Sequence, residues 1–396
     1  MEASESPVSA RVYIAVALIG LSGAWNAGTV GPVASEIAGE FEISLGVVGI
    51  LAGTLFLGAS VVGLMFAAQV GERIGLLRGL KLACGLGAAG NLLFAVTPVF
   101  AGMAISRVLV GLAFALINPL GAVWARNAGG VKLIGVFGAS IQLGIALALL
   151  VGSGLSDAGV DWRVGFVIAA ALAVGAYLAI PSHADSAPAA EQRTKGFLSA
   201  ALRHARVYRL SMMFISIYGV PMVLSAWLIE YLLRDGDARK ALAGVLAFLL
   251  FGLSAAVRVA GARLQERGIA HLYLAGSLGL AAIGIGAITF DPAIAVGFAA
   301  VVLIGIGFGI PYATALTEAQ DLFPRAPGEP VALMTIAAML PPIIVIPLVG
   351  HAISRGDGDI AFGLLALFVV LATLANLRRT GIPLDRPDPQ RTATGR

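Results

Sequence analysis

Charge and cysteine are both scarce in this sequence. Asp, Glu, Lys and Arg together make up 12% of the 396 residues, and there is a single cysteine, Cys84. One cysteine excludes an intramolecular disulfide and a cysteine-based metal site. The four histidines stand at positions 183, 204, 271 and 351, without ligand spacing, and no Ser-His-Asp grouping is present. The sequence therefore predicts no metal, no cofactor and no enzyme.

Apolar residues are correspondingly abundant. They make up 59% of the chain, and the mean hydropathy is +0.93. Apolar runs of about 18 to 25 residues, long enough to cross a membrane as helices, recur along the whole sequence. Twelve spans are predicted, at 12–34, 45–70, 79–97, 99–124, 134–156, 163–181, 208–233, 240–261, 269–290, 293–317, 329–352 and 359–377.

The distribution of Lys and Arg predicts the orientation of these spans, because basic residues in short loops stay in the cytoplasm. Most basic residues fall in the loops that share a side with the two termini. The sequence therefore predicts a multi-pass protein of the inner (cytoplasmic) membrane with both termini in the cytoplasm. Attraction to anionic lipid explains the pI of about 9.4, so no nucleic-acid partner is expected.

One long polar segment, 181–209, divides the spans six and six. Its first part is rich in Ala, Ser and Pro and predicts a linker; its second part alternates arginines with apolar residues and predicts a basic amphipathic helix. The predicted division of the chain is an N-terminal six-helix bundle at 1–181, a cytoplasmic linker at 182–207, a C-terminal six-helix bundle at 208–380 and a tail at 381–396.

The two halves carry similar residues at an offset of 194 positions. This offset pairs Glu36 with Glu230, and the dipeptide Glu72-Arg73 with Glu266-Arg267. The repeated dipeptide follows span 2 in the first half and span 8 in the second. Two parallel six-helix repeats are the organisation of one group of secondary transporters, in which the substrate binds between the halves.

The segment "AQVGERIGLLRGLK" at 68–81 resembles the loop between spans 2 and 3 of the major facilitator superfamily. The family pattern is Gly-x-x-x-Asp-Arg-x-Gly followed by basic residues; here Arg73 and Gly75 match and Glu72 replaces the aspartate. "SRVLVGLAFA" matches the family's Arg-x-x-x-Gly element through Arg107 and Gly111. The resemblance covers all twelve spans and implies an all-α membrane protein with twelve transmembrane helices in two pseudo-symmetric six-helix bundles.

The resemblance also implies that the two acid-arginine loops close the cytoplasmic ends of the halves in one state and release them in another. An acid beside basic residues can pair locally or contact a neighbouring helix N-terminus, while glycine permits a tight turn. The candidate gating residues are Glu72, Arg73, Gly75, Arg78, Glu266 and Arg267. The alternative is an ordinary basic turn without a gating role.

Two arginines lie deep in predicted spans, Arg107 in span 4 and Arg258 in span 8. A charge there costs at least about 2.5 kcal/mol on insertion scales, so each is a candidate functional residue. No acid lies comparably deep, and a guanidinium without a carboxylate suits an anionic substrate. The alternatives are that Arg258 extends to the interface and that Arg107 has a structural or gating role.

Neutral polar and aromatic residues on spans 1, 4, 5, 7 and 10 complete the candidate substrate site, because these spans line the central cavity in the family that the chain resembles. They are Trp25, Asn26, Asn118, Gln142, Tyr218 and Tyr312. Each alone could instead form a packing hydrogen bond between helices.

These observations predict a monomeric secondary active transporter that moves a small anion by alternating access. The arginine in span 8 resembles nitrate, nitrite, cyanate and monocarboxylate carriers. The sequence has no ATP site, so a gradient is expected to drive transport, with the proton as the candidate coupling ion. Two alternatives stay open. The first is a proton-coupled exporter of amphiphilic drugs, although span 5 lacks the Gly-Pro-rich element that is common in such antiporters. The second is a non-transporting receptor with the same fold.

Overall fold

The computed structural model describes residues 9–181, 203, 205–234, 236, 238–266, 270–322 and 328–377. All regular structure in these residues is helical. This agrees with the sequence, because a helix satisfies all of its backbone hydrogen bonds within one segment, as a membrane requires.

The N-terminal half (residues 9–181) contains seven α-helices. They are α1 (Ala10–Gly28), α2 (Ala34–Glu40), α3 (Leu45–Gly49), α4 (Phe56–Ile74), α5 (Leu76–Val96), α6 (Phe100–Asp157) and α7 (Arg163–Ala179). A 3-10 turn, Gly31–Val33, joins α1 to α2, and a π-helical turn, Ile50–Leu55, joins α3 to α4.

The C-terminal half (residues 205–377) contains eight described α-helices. They are α8 (Ala205–Phe214), α9 (Val220–Arg234), α10 (Lys240–Glu266), α11 (Ala270–Phe290), α12 (Ile294–Gly309), α13 (Pro311–Gln320), α14 (Gly328–Arg355) and α15 (Gly358–Leu377). A second π-helical turn, Ile215–Gly219, joins α8 to α9.

Eleven continuous helical segments of the described chain are long and apolar enough to cross a membrane. The sixth predicted span, 163–181, corresponds to the apolar helix α7, which has 17 residues. At 1.5 Å per residue such a helix is about 26 Å long, shorter than the ~30 Å hydrocarbon core. The prediction of membrane-spanning helices is thus confirmed for eleven segments.

The range of α6 contains two membrane-spanning segments, Phe100–Gly130 and Lys132–Asp157. They are separated by the non-helical residues Gly129 and Gly130, which fall where a loop was expected between spans 4 and 5. Gly130 has φ +60°, a conformation open to glycine, so the chain bends sharply there. The helix α8 begins at Ala205, inside the predicted linker at 182–207. Most of the predicted amphipathic helix lies outside the described residues.

The side on which α1 begins is called the N-terminal face, and the side on which α1 ends is called the opposite face. Three of the five hydrogen bonds described between the two halves lie near the opposite face. Their donor-acceptor pairs are Ser35–Glu230, Arg234–Ser35 and Lys240–Glu36. The other two, Thr54–Ile343 and Ser225–Ala27, lie deeper along the spans. The halves are therefore fastened to each other at this end of the molecule.

Small residues bring the helices of the two halves together at the same face. A Cβ on Gly49 would lie 2.7 Å from Pro347 Cα, and one on Gly244 would lie 2.5 Å from Ser153 Cβ. Gly31 likewise lies against the backbone carbonyl of Ser225. Backbones this close exclude larger side chains and leave little space between the halves.

Candidate functional site

Arg258 and two tyrosines form a cluster in the C-terminal half. The Arg258 Cζ atom lies 4.0 Å from the ring centroid of Tyr312 and 6.0 Å from that of Tyr218. The two tyrosine hydroxyls are 3.5 Å apart. A guanidinium over an aromatic face is attracted by the ring quadrupole, so Tyr312 holds the Arg258 side chain in place.

Arg258 lacks a carboxylate partner among the residues that the structure describes. Its Nε atom is buried and has no hydrogen-bond partner there. Stacking on Tyr312 occupies a face of the guanidinium and leaves the N–H groups at its edge for other acceptors. The arrangement can therefore donate hydrogen bonds to an oxyanion.

Local breaks in the helices place the two tyrosines. Tyr218 lies in the π-helical turn Ile215–Gly219. Tyr312 follows Pro311, the first residue of α13, at the break between α12 and α13. Proline lacks an N–H and so favours a helix start, whereas π-helical turns frequently mark functional sites.

Arg107 belongs to a separate cluster in the N-terminal half. Its side chain is 1% exposed, its Nε donates to the Leu51 carbonyl at 3.1 Å, and its Nη2 donates to the Asn26 carbonyl at 3.1 Å. The Phe56 ring lies 4.7 Å from its Cζ atom. Asn26 stands in the last turn of α1 and Leu51 in the π-helical turn, where carbonyls lack regular helical partners.

Two orphaned atoms lie in this cluster. Arg107 Nη1 and Asn26 Oδ1 are buried and have no hydrogen-bond partner in the described part of the chain. The Asn26 amide nitrogen donates to the carbonyls of Ser22 and Gly23 in its own helix. In this conformation Arg107 thus stabilises two interrupted helices and does not reach solvent.

The remaining predicted substrate residues do not join either cluster. Trp25 is buried and packs against Ala148 and Ala169 within the N-terminal half. Asn118 donates to the Phe114 carbonyl of its own helix, and Gln142 is buried on α6. The structure therefore brings together Arg258, Tyr218 and Tyr312, and separately Arg107 and Asn26.

The acid-arginine loop of the first half is exposed at the N-terminal face. Glu72, Arg73 and Arg78 are all exposed, and no ion pair is found for them among the described residues. Gly75 has φ +90° and separates α4 from α5, as expected for a tight turn. The Glu266 side chain and Arg267 lie outside the described residues.

The polar cluster at the opposite face was not predicted from the sequence. Glu36 binds Lys240 of the other half and Ser156 of its own half. Glu230 accepts a hydrogen bond from Ser35 of the other half at 2.6 Å. The one sequence signal was the pairing of Glu36 with Glu230 at the repeat offset, and both residues stand near the ends of predicted spans.

The apolar helical segments, together with half-buried polar groups between them, define a multi-span membrane protein of the transporter class. A sequence profile of the Major Facilitator Superfamily matches residues 16–346. The chain therefore belongs to this superfamily, as the acid-arginine loop predicted, and it is a transporter rather than an enzyme. A search of curated protein sequences gave no match.

Several solved structures share the fold. A D-xylose-proton symporter aligns with a TM-score of 0.75 at 14% identity, over 92% of this chain and 96% of that chain. The inward-open xylose transporter XylE from E. coli has a TM-score of 0.73 at 14% identity, over 93% and 95%. An inward-facing bacterial homolog of the human lysosomal transporter Spinster has a TM-score of 0.70 at 16% identity, over 94% and 98%. At these identities the likeness concerns the fold.

Proposed function

We propose that this protein is a secondary active transporter that moves a small organic or inorganic anion by alternating access. The observation that carries this proposal is the Arg258 cluster, in which the guanidinium is stacked on Tyr312 and its buried Nε has no hydrogen-bond partner among the residues that the structure describes. A cation held without a carboxylate attracts a negatively charged ligand, and its planar set of donors fits an oxyanion.

The tyrosines support the same substrate class. The Tyr218 and Tyr312 hydroxyls lie 3.5 Å apart beside the guanidinium and can donate to a bound anion. A lipophilic cation, the substrate of the alternative drug exporter, would be repelled by Arg258. The small number of polar groups also disfavours a sugar, each of whose hydroxyls needs a partner.

We propose further that the chain forms twelve transmembrane helices in two pseudo-symmetric six-helix bundles, divided at 182–207. The basic loops place the N-terminal face and both termini in the cytoplasm of a cell whose inner membrane holds the protein. With that orientation, most of the hydrogen bonds described between the halves lie on the external side, so this conformation faces inward. The protein is proposed to act as a monomer, with the proton as its coupling ion.

The test is flux in proteoliposomes that contain the purified protein. Nitrate, nitrite, cyanate, small carboxylates and a lipophilic cation are supplied with and without a proton gradient. We expect saturable anion flux, and we expect Arg258→Gln to lower it by at least about 10-fold, because a charge-assisted contact to the substrate is lost.

The matched control is Arg263→Gln, which removes an exposed arginine from the same helix. It should transport at the parent rate. Arg258→Lys keeps the charge but loses the planar donors, so we expect intermediate flux. Normal anion flux in Arg258→Gln, or flux of the lipophilic cation alone, would contradict the proposed substrate class.

A further inference from the structure

We propose that a cleft between α1, α6 and α7 is a binding site for a zwitterionic phospholipid. The cleft lies near the opposite face, within the N-terminal half. The residues of its lining that carry the argument are Trp25, Thr29, Ser156, Asp161, Trp162 and Gly165. None of them belongs to the Arg258 cluster, so this inference does not depend on the proposed substrate.

The cleft exists because α6 and α7 stand apart. The helix α1 packs against both of them, whereas α6 and α7 make little contact with each other. Gly165 on α7 has no side chain to fill the gap, and a Cβ there would meet only Thr29 Cγ2, at 4.0 Å. The face of α1 that carries Trp25 and Thr29 is therefore incompletely covered beside the end of α6.

The surroundings of the cleft are apolar and partly exposed. Trp25 packs with Ala148 and Ala169 in a small hydrophobic cluster that is separate from the two larger clusters of the described chain. The apolar residues packed around this small cluster are only partly buried; on α6 and α7 they are Leu147, Val151, Ile168 and Leu172. In a membrane-spanning chain, such half-exposed side chains between two helices face acyl chains. The cleft therefore opens toward lipid.

Trp25 indicates a ligand with a hydrogen-bond acceptor. Its side chain is 5% exposed and lines the cleft, yet its indole N–H makes no hydrogen bond to any described residue. A buried indole N–H usually has a partner, because burial without one is costly. Trp25 stands in the last turn of α1, near the membrane interface, where tryptophans are enriched. An ester carbonyl of a phospholipid supplies the missing acceptor at this depth.

The mouth of the cleft carries a net negative charge. The Asp161 side chain there is 58% exposed. Arg163 beside it donates two hydrogen bonds to Glu40 and stacks on Trp162, with its Cζ atom 4.3 Å from the ring centroid. Two carboxylates thus share one guanidinium, which leaves one negative charge uncompensated in this group. Such a mouth attracts the amine or choline group of a zwitterionic phospholipid and repels an anionic headgroup.

The test is quenching of tryptophan fluorescence by brominated lipid, because bromine quenches only an indole that lies close to it. The purified full-length protein is reconstituted in phosphatidylcholine whose chains carry bromine near the ester end, and in the same lipid without bromine. The contribution of Trp25 is the difference between the parent and Trp25→Phe. We expect Trp25 to be quenched although its side chain is almost fully buried in the protein.

Filling the cleft should exclude the lipid. At a low fraction of brominated lipid, we expect Gly165→Leu to lower the quenching of Trp25 by about fivefold, the change that loss of one hydrogen bond produces. Gly165→Ala adds only a methyl group and should lower it less. The matched control is Gly154→Leu, because Gly154 is exposed on α6 and a Cβ there meets nothing within 4 Å. This control should keep the parent quenching.

The headgroup is tested with brominated phosphatidylethanolamine and brominated phosphatidylglycerol at equal fractions. We expect the anionic phosphatidylglycerol to quench Trp25 less, and Asp161→Asn to reduce the difference. The proposal is overturned if Trp25 is not quenched, since the cleft then holds water, or if Gly165→Leu is quenched like the parent, since the lipid then lies outside the cleft. Equal quenching by the two lipids contradicts the assigned headgroup. The assay uses no substrate, so its result is independent of whether the protein carries an anion.

Discussion

At the scale of single residues, the two deep arginines have different surroundings. Arg258 stacks on a tyrosine, and its Nε has no partner in the described part of the chain. Arg107 instead donates two hydrogen bonds to backbone carbonyls of α1 and the π-helical turn. These carbonyls lie at helix interruptions, where regular partners are missing. Arg107 is therefore expected to act chiefly on the stability of the N-terminal half.

We expect Arg107→Lys to lower the free energy of unfolding by about 1–3 kcal/mol. The ammonium group keeps the charge but cannot place two donors with the fixed geometry of Nε and Nη2. Thermal unfolding of the purified protein in detergent measures the effect. Arg126→Lys is the control, because Arg126 is exposed on the same helix. Equal melting temperatures for the two variants would show that the carbonyl contacts contribute nothing.

At the scale of helices, the boundary at the opposite face depends on glycine. Gly49 lies at the end of α3 against α14, and a Cβ there would stand 2.7 Å from Pro347 Cα and 3.0 Å from the Ile346 carbonyl oxygen. Both are backbone atoms, which cannot turn aside as a flexible side chain can. An added methyl group must therefore push α3 and α14 apart.

Gly49→Ala is predicted to weaken closure of the opposite face. Closure is measured with a cysteine placed in this boundary, Ala226→Cys in a Cys84→Ser background, because Ala226 is 5% exposed and its carbonyl lies against Gly31 of the other half. An overpacked contact costs about 1–3 kcal/mol, so labelling of this cysteine by a membrane-impermeant thiol reagent in liposomes should rise at least about fivefold at neutral pH. Gly58→Ala provides the control, since a Cβ at Gly58 meets nothing within 4 Å. If Gly49→Ala and Gly58→Ala are both labelled at the parent rate, the contact between Gly49 and α14 does not control closure of this face.

At the scale of the whole molecule, the two faces differ. Hydrogen bonds and close backbone contacts join the halves at the opposite face, whereas Glu72 and Arg73 are exposed at the N-terminal face. A transporter that alternates between two states needs contacts that form at one face when they break at the other. The acid-arginine loops are the residues proposed to make those contacts at the N-terminal face.

Glu72→Gln should therefore change the turnover rate of transport and leave the substrate affinity close to that of the parent. Glu72 is exposed at the N-terminal face, in the last turn of α4, so it acts on the conformational step rather than on binding. Initial flux rates over a range of substrate concentrations separate the two parameters. Asp321→Asn, which removes an exposed acid at the same face, should change neither. An unchanged turnover rate in Glu72→Gln would remove the gating role.

The sequence alone determined the membrane class, most span positions and the superfamily. These properties follow from the lengths of the apolar runs and from short motifs such as Glu72-Arg73. Residues that are close together in the sequence therefore suffice to specify them. The sequence also identified Arg258 as a candidate site residue, because a charged side chain deep in a membrane-spanning segment is unusual however the other helices are arranged.

Only the tertiary structure decided which polar residues meet. It placed Tyr218 and Tyr312 beside Arg258, buried Trp25 among apolar residues, and turned Arg107 toward two carbonyls. It also joined Glu230 to Ser35, which stands 195 positions earlier in the chain. Such contacts depend on how helices pack and rotate against one another, and the sequence of any one helix does not contain that information.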